Sequence, residues 1–247
     1  EFKNIDYLKV QQIHLNEIGG NMKMEVLGFE KDTVIQTPKK VWMTAFIFCF
    51  LVLLCDGADI GILAFTLTSL KAEFGLTSVQ AGALGSWSIF GMAIGGLIGG
   101  WASDRFGRVR VIVIATAMFA ILYACTGLAQ SYEQIVILRT ITCLGLGSLY
   151  IACNTLMSEL VPTKYRTTVL ATLMTGYTLG SLVITALSGW IIPEFGWRML
   201  YFITIIPIVF SILMFFLVPE PASWKKARAL KLANPQAGKA QKLENPY

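Results

Sequence analysis

The chain has 247 residues, of which 55% are hydrophobic and only 14% charged, with a mean hydropathy of +0.64. A soluble domain carries about 25% charge, so this composition excludes disorder, a collagen-like chain and a basic nucleic-acid-binding domain, and predicts a polytopic membrane protein. The formal net charge is +5, and its placement says more than its size.

Residues 1–40 are polar, begin with Glu, and lack the apolar stretch of a cleavable signal peptide. Met22 and Met24 are candidate native starts. Ile18-Gly19-Gly20-Asn21-Met22 reads either as translated leader, since codons for Ile-Gly-Gly can spell a ribosome-binding site, or as part of an ordinary cytoplasmic tail. Six apolar segments follow: Val41–Leu67, Gln80–Trp101, Val109–Ala129, Gln134–Leu160, Thr168–Ile192 and Met199–Val218. Each reaches the about 20 residues that a helix needs to cross a bilayer. The expected organisation is a tail over 1–40, a six-helix membrane domain over 41–218, and a polar, basic loop or tail over 219–247. Cys49, Cys55, Cys125, Cys143 and Cys153 all fall inside apolar runs without a CxxC pair, and read as small core residues. The lone histidine, His14, lies outside the spans, so no metal site is expected. The second segment carries Gly91, Gly95, Gly96, Gly99 and Gly100. Such a stripe lets helix backbones approach closely in lipid, and packing is a sufficient reason for it.

The loops give the topology. Lys39 and Lys40 precede the first span, and Arg105, Arg108 and Arg110 follow the second. Lys164 and Arg166 follow the fourth, and Lys225, Lys226, Arg228 and Lys231 follow the sixth. The alternate loops hold little beyond Lys71 and Arg198. Positive charge marks the cytoplasmic side, so the chain is expected in the cell inner membrane with both termini in the cytoplasm. Topology and anionic lipid account for the basic balance without a nucleic-acid partner.

Charge within a span carries the chemistry, because an ionisable group near the bilayer centre usually faces a bundle interior or a wet cavity. Asp56 and Asp59 lie in the first span, three residues apart and so on one helix face. Arg139 lies toward the outer end of the fourth span, at a depth similar to Asp59. Two carboxylates this close repel, which suits one of them, Asp56 or Asp59, to take up a proton. A guanidinium binds a carboxylate bidentately and stays charged. The trio reads as a proton and substrate-carboxylate site, or as an Asp–Arg pair that pins two helices.

Gly100-Trp101-Ala102-Ser103-Asp104-Arg105-Phe106-Gly107-Arg108 joins spans two and three and resembles the G-x-x-x-D-R-x-G-R signature of the major facilitator superfamily. Gly100 would permit close helix approach and Gly107 a tight turn. Asp104 can pair with Arg108 and face a helix N-terminus. Glu159-Leu160-Val161-Pro162-Thr163-Lys164-Tyr165-Arg166 resembles the E-x-x-P-x-x-x-R pattern of metabolite porters in that superfamily. The resemblance implies that Glu159, Arg166, Arg105 and Asp104 form a charge network that closes the cytoplasmic side in one state. Asp56-Gly57-Ala58-Asp59 is similar to the D-G-x-D of the aromatic acid:proton symporters, as are Gly75-Leu76-Thr77 and Pro193-Glu194-Phe195-Gly196-Trp197-Arg198. There are departures. Cys143 replaces the first glycine of the usual R-x-x-x-G-x-G-x-G run, and Pro219-Glu220-Pro221-Ala222-Ser223 replaces P-E-S-P-R.

The resemblance implies an all-α membrane protein: two three-helix units in inverted topology, forming the N-terminal half of a twelve-helix fold whose cavity lies between halves. The polar trio would then face a missing C-terminal six-helix half, with a homodimer of halves as the alternative. The implied activity is import of a small organic acid, aromatic or another carboxylate, by proton symport. It needs no cofactor beyond the proton gradient. A carrier of sugars or other neutral metabolites and a non-transporting truncated scaffold are the rivals. An enzyme is disfavoured, since no G-x-S-x-G or phosphate-cradling sequence is present.

Overall fold

The computed structural model describes residues 38–233, so the N-terminal tail with His14, Met22 and Met24, and residues 234–247, lie outside the described residues. Eight helices are described: α1 (Lys39–Phe74), α2 (Ser78–Phe106), α3 (Arg108–Thr126), α4 (Tyr132–Leu160), α5 (Thr163–Phe195), α6 (Arg198–Ile203), α7 (Pro207–Leu217) and α8 (Ala222–Ala233). Among the described residues, six stretches are long and apolar enough to cross a membrane: α1 to α5 each, and Arg198–Leu217 as one.

Local chemistry sets the ends. Gly75 closes α1 in the left-handed region at φ 62°, where its N–H and that of Leu76 reach the Lys71 carbonyl. Thr77 and Gln80 start α2 with a reciprocal capping box: Gln80 N–H donates to Thr77 Oγ1 at 3.2 Å and Thr77 N–H to Gln80 Oε1 at 2.9 Å. Ser131 caps α4 by accepting from Gln134 N–H at 3.3 Å. The helices overrun the apolar segments at several ends, as α1 does to Phe74, because backbone hydrogen bonding continues where hydropathy stops.

Two details go beyond the sequence reading. The sixth span is not one continuous helix. Pro207 has no N–H and its ring opposes the carbonyl four residues back. The chain therefore passes between α6 and α7 through i→i−3 bonds, Ile205 N–H to Phe202 O and Ile206 N–H to Ile203 O, each at 3.2 Å. The start of the expected polar tail is also helical, as α8. It is anchored by the buried Trp224, whose Nε1–H donates to Asp104 O at 3.0 Å.

Packing rests on two seams of small residues. Gly91, Gly95 and Gly99 recur every four residues on α2, and an added Cβ would run into Thr140, Leu144 and Ser148 of α4 respectively. Ser148 Oγ completes the seam by donating to Gly95 O at 2.7 Å. Gly96 and Gly100 meet only ordinary contacts, so the close approach expected at Gly100 occurs one residue earlier, at Gly99. In the second seam, Gly57 and Gly61 of α1 abut Tyr177 and Ile184 of α5, while Gly176 and Gly180 of α5 abut Phe50 and Leu54 of α1. Exchanging helices one to three with four to six turns the α1–α5 seam into the α4–α2 seam. That is the relation that two inverted three-helix units produce.

Candidate functional site

The polar interior lies where α1, α2, α3 and α4 converge. α1 brings Asp59, α2 Ser88, α3 Tyr123 and α4 Arg139. Arg139 NH2 donates to Asp59 Oδ2 at 3.1 Å, Nε to Ser88 Oγ at 3.0 Å, and NH1 to the Tyr123 hydroxyl at 3.0 Å. The guanidinium carbon also lies 5.5 Å from the Tyr123 ring centroid. Tyr123 stacks on Tyr201 of α6 at 4.9 Å between centroids, and the Tyr201 hydroxyl is 3.1 Å from Thr66 Oγ1 on α1. Arg139 is 2% exposed, Asp59 5% and Asp56 2%.

The structure therefore brings Asp59 and Arg139 together and leaves Asp56 apart. Asp56 Oδ2 and Asp59 Oδ1 are buried without a hydrogen-bond partner among the described residues. The trio does not lie open toward an absent half, as the sequence pattern led us to expect; all three side chains are enclosed within this six-helix unit. For Asp59 and Arg139 the reason is the number of donors on the guanidinium, which draws partners from three other helices and closes them around it.

A second cluster sits at the α2–α3 turn. Arg108 NH2 meets Asp104 Oδ1 at 2.8 Å and Glu159 Oε1 at 2.9 Å, and NH1 donates to Ser103 O at 2.8 Å. The N-terminus of α3 is taken not by Asp104 but by Glu220, from the segment after α7. Its carboxylate accepts from the backbone N–H groups of Arg108 at 2.8 Å, Val109 at 3.2 Å and Arg110 at 3.1 Å. A carboxylate there complements the orphan donors and the helix dipole. Gly107 makes room, with φ at 115° and a Cβ position that would collide with the Glu220 carboxylate. Ser223 Oγ donates to Glu159 Oε2 at 2.9 Å, so the segment around α8 is tied to the same cluster.

Two members of the expected network are absent from it. Arg105 lies over the Trp101 and Phe106 rings, at 5.4 and 5.8 Å, and is in no ion pair among the described residues. Arg166 Nε has no hydrogen-bond partner among the described residues. Arg108 occupies the centre instead, because its position at the start of α3 puts the guanidinium between α2 and the end of α4. At the opposite end of the bundle, Glu73 accepts from Trp197 Nε1 at 2.7 Å and pairs with Arg198, joining the end of α1 to the start of α6.

Ser88, Tyr123, Tyr201 and Glu220 are the site residues that sequence reasoning missed. A hydroxyl inside an apolar span gives little signal, since Thr116 and Thr142 occupy equivalent places and donate only to their own helices, to Ile112 O and Leu138 O, each at 2.7 Å.

A family model described as Major Facilitator Superfamily matches residues 49–243. The chain is 58% identical over 187 residues to the cis,cis-muconate transport protein of Acinetobacter baylyi, covering 76% of this chain and 45% of that protein. It is 33% identical to the gallate transporter of Pseudomonas putida, covering 74% and 41% respectively. The chain thus spans about half the length of the curated relatives it matches. Among solved structures it resembles the D-xylose-proton symporter with a TM-score of 0.68 at 21% identity, covering 81% of this chain and 53% of that one. The inward-open xylose transporter XylE from E. coli gives 0.67 at 21%, covering 83% and 57%. At that identity the likeness bears on the fold alone.

Proposed function

The chain belongs to the major facilitator superfamily, and we propose that it forms the first half of a carrier that imports a small organic acid together with protons. The carrier works by alternating access, with a second six-helix block completing the cavity. It lies in the inner membrane with the Arg108 end in the cytoplasm, and the proton gradient drives it without a cofactor. The 58% identity to a muconate transport protein and 33% identity to a gallate transporter support a carboxylate as solute.

The observation that carries the reading is the buried Asp59–Arg139 pair. It balances charge in a place where an unbalanced charge is costly. A proton on Asp59 leaves the guanidinium without its counter-ion, and an organic anion arriving beside α1 and α4 restores the balance. Proton and anion thus favour each other's binding, which is what symport requires. Asp56, one turn away with an unpartnered oxygen, is the second carboxyl that takes a proton in the cycle. The Arg108 cluster acts at the cytoplasmic end, where Asp104, Glu159 and Glu220 hold one state closed and separate as it opens. Gly107 admits the Glu220 carboxylate there, and Gly100 belongs to the same motif.

The test uses the full-length protein containing this chain, in proteoliposomes with radiolabelled cis,cis-muconate and an imposed pH gradient. Asp59→Asn and Arg139→Lys are each expected to abolish accumulation. If both variants still accumulate the label in response to the gradient, the reading fails.

A further inference from the structure

Arg139 keeps its charge at any accessible pH. Asp59 is its only carboxylate partner among the described residues, so protonation of Asp59 strands a guanidinium in a closed interior. Such a side chain either leaves its place or is held by neutral groups. Ser88 on α2 and Tyr123 on α3 supply them. Ser88 Oγ gives its own hydrogen to Leu84 O at 2.7 Å, which leaves a lone pair aimed at Arg139 Nε. Tyr123 offers its hydroxyl oxygen to NH1 and its ring face to the guanidinium, and is fixed in turn by Tyr201 and Phe119 at centroid distances of 4.9 and 5.5 Å.

We propose that Ser88 and Tyr123 are positioning residues that hold Arg139 in place while Asp59 carries the proton and before a substrate carboxylate has arrived. The inference rests on the reading of Asp59 and Arg139 given above. The titratable or charged groups facing this point are Asp59 and Asp56 on α1, Tyr123 on α3, Cys143 on α4 and Tyr201 on α6. Tyr177 on α5 faces the two carboxylates, and α2 contributes no charge here.

A contact that merely supports the fold is needed at every pH. A group that solvates Arg139 is needed most when Asp59 is protonated, so its loss disfavours that state and more acid restores it. In the full-length protein in proteoliposomes, Tyr123→Phe keeps the ring and removes the oxygen. Its half-maximal rate of gradient-driven cis,cis-muconate uptake is expected at an external pH about one unit lower than for the parent, the size of one hydrogen bond to a charged group. Ser88→Ala is expected to move it the same way, and Ser88→Thr to restore it. Should Tyr123→Phe give no folded protein, the Ser88 pair carries the same test. A midpoint that stays put or rises while the rate falls at every pH overturns the inference. Asp59→Asn, measured alongside, separates the two levels. Gradient-driven accumulation surviving in that variant overturns the underlying reading. Accumulation lost there with an unmoved Tyr123→Phe midpoint overturns the positioning role alone.

Discussion

Arg139 and Arg108 each gather oxygens around a guanidinium, yet one does so inside the bundle and the other at its end. Arg139 has one carboxylate and two neutral partners, each from a different helix. Arg108 has two carboxylates and a backbone carbonyl, while a third carboxylate stands on the amides of its own helix. Among the described residues the interior cluster pairs Arg139 with one acid alone, so a single proton on Asp59 changes its balance. The end cluster has several acids, so its charge is robust and its geometry is what changes. The proposed cycle, in which the interior pair responds to protons and the end cluster latches two helices, would need these opposite designs.

The largest effect is expected from breaking the interior balance. Arg139→Gln leaves Asp59 buried without its partner, and removing one member of a buried pair costs about 3–5 kcal/mol. Thermal unfolding of the full-length protein in detergent should show this as a marked loss of stability. The charge-neutral double variant Asp59→Asn with Arg139→Gln should recover most of it while still failing to accumulate substrate. A double variant no more stable than Arg139→Gln would mean that shape, not charge, sets the cost.

Next comes the turn that admits Glu220. Gly107→Ala forces a side chain into positive φ and against the Glu220 carboxylate, at about 1–3 kcal/mol. Exchange of the backbone amides of Arg108, Val109 and Arg110 with deuterium should quicken in this variant and in Glu220→Gln, by a smaller factor in the latter. Unchanged exchange in both would separate the α8 segment from the end cluster.

Only the local part of the end cluster was legible in the sequence: Asp104, Gly107 and Arg108 lie within five positions, in a pattern tied to one turn, whereas Arg105, expected in the network, lies over the Trp101 and Phe106 rings instead. Glu220 was not, since its role depends on a return of the chain 112 residues later. The membrane spans were legible from hydropathy alone. The break before Pro207 was not drawn, although the residue was in view, because apolar character runs straight through it. Asp59 and Arg139 stood out as charges in apolar surroundings, and similar depth was enough to pair them. Ser88, Tyr123 and Tyr201 did not stand out, since a hydroxyl in a span gains meaning only from what lies across the helix interface.

The finest distinction concerns the two acids of Arg108. Both touch the same guanidinium, but the Asp104 side chain is 68% exposed and that of Glu159 20%. Water and salt screen the former, and an exposed i,i+4 pair contributes about 0.3–0.5 kcal/mol. Glu159 is better enclosed, accepts from Nε and NH2 together, and also receives the Ser223 hydroxyl, so it links α4 to both α3 and the α8 segment. Glu159→Gln should therefore lower stability by about 1 kcal/mol, and Asp104→Asn by less than half of that. The salt dependence should run the other way: raising ionic strength weakens the Asp104 contact while leaving the Glu159 contact largely intact. Unfolding midpoints of both variants at low and high salt measure this directly. Equal losses at low salt would mean that Arg108 treats its two carboxylates as interchangeable and that closure at this end depends on charge number. Unequal losses would place the latch on the α3–α4 contact, with Asp104 a screened accessory to it.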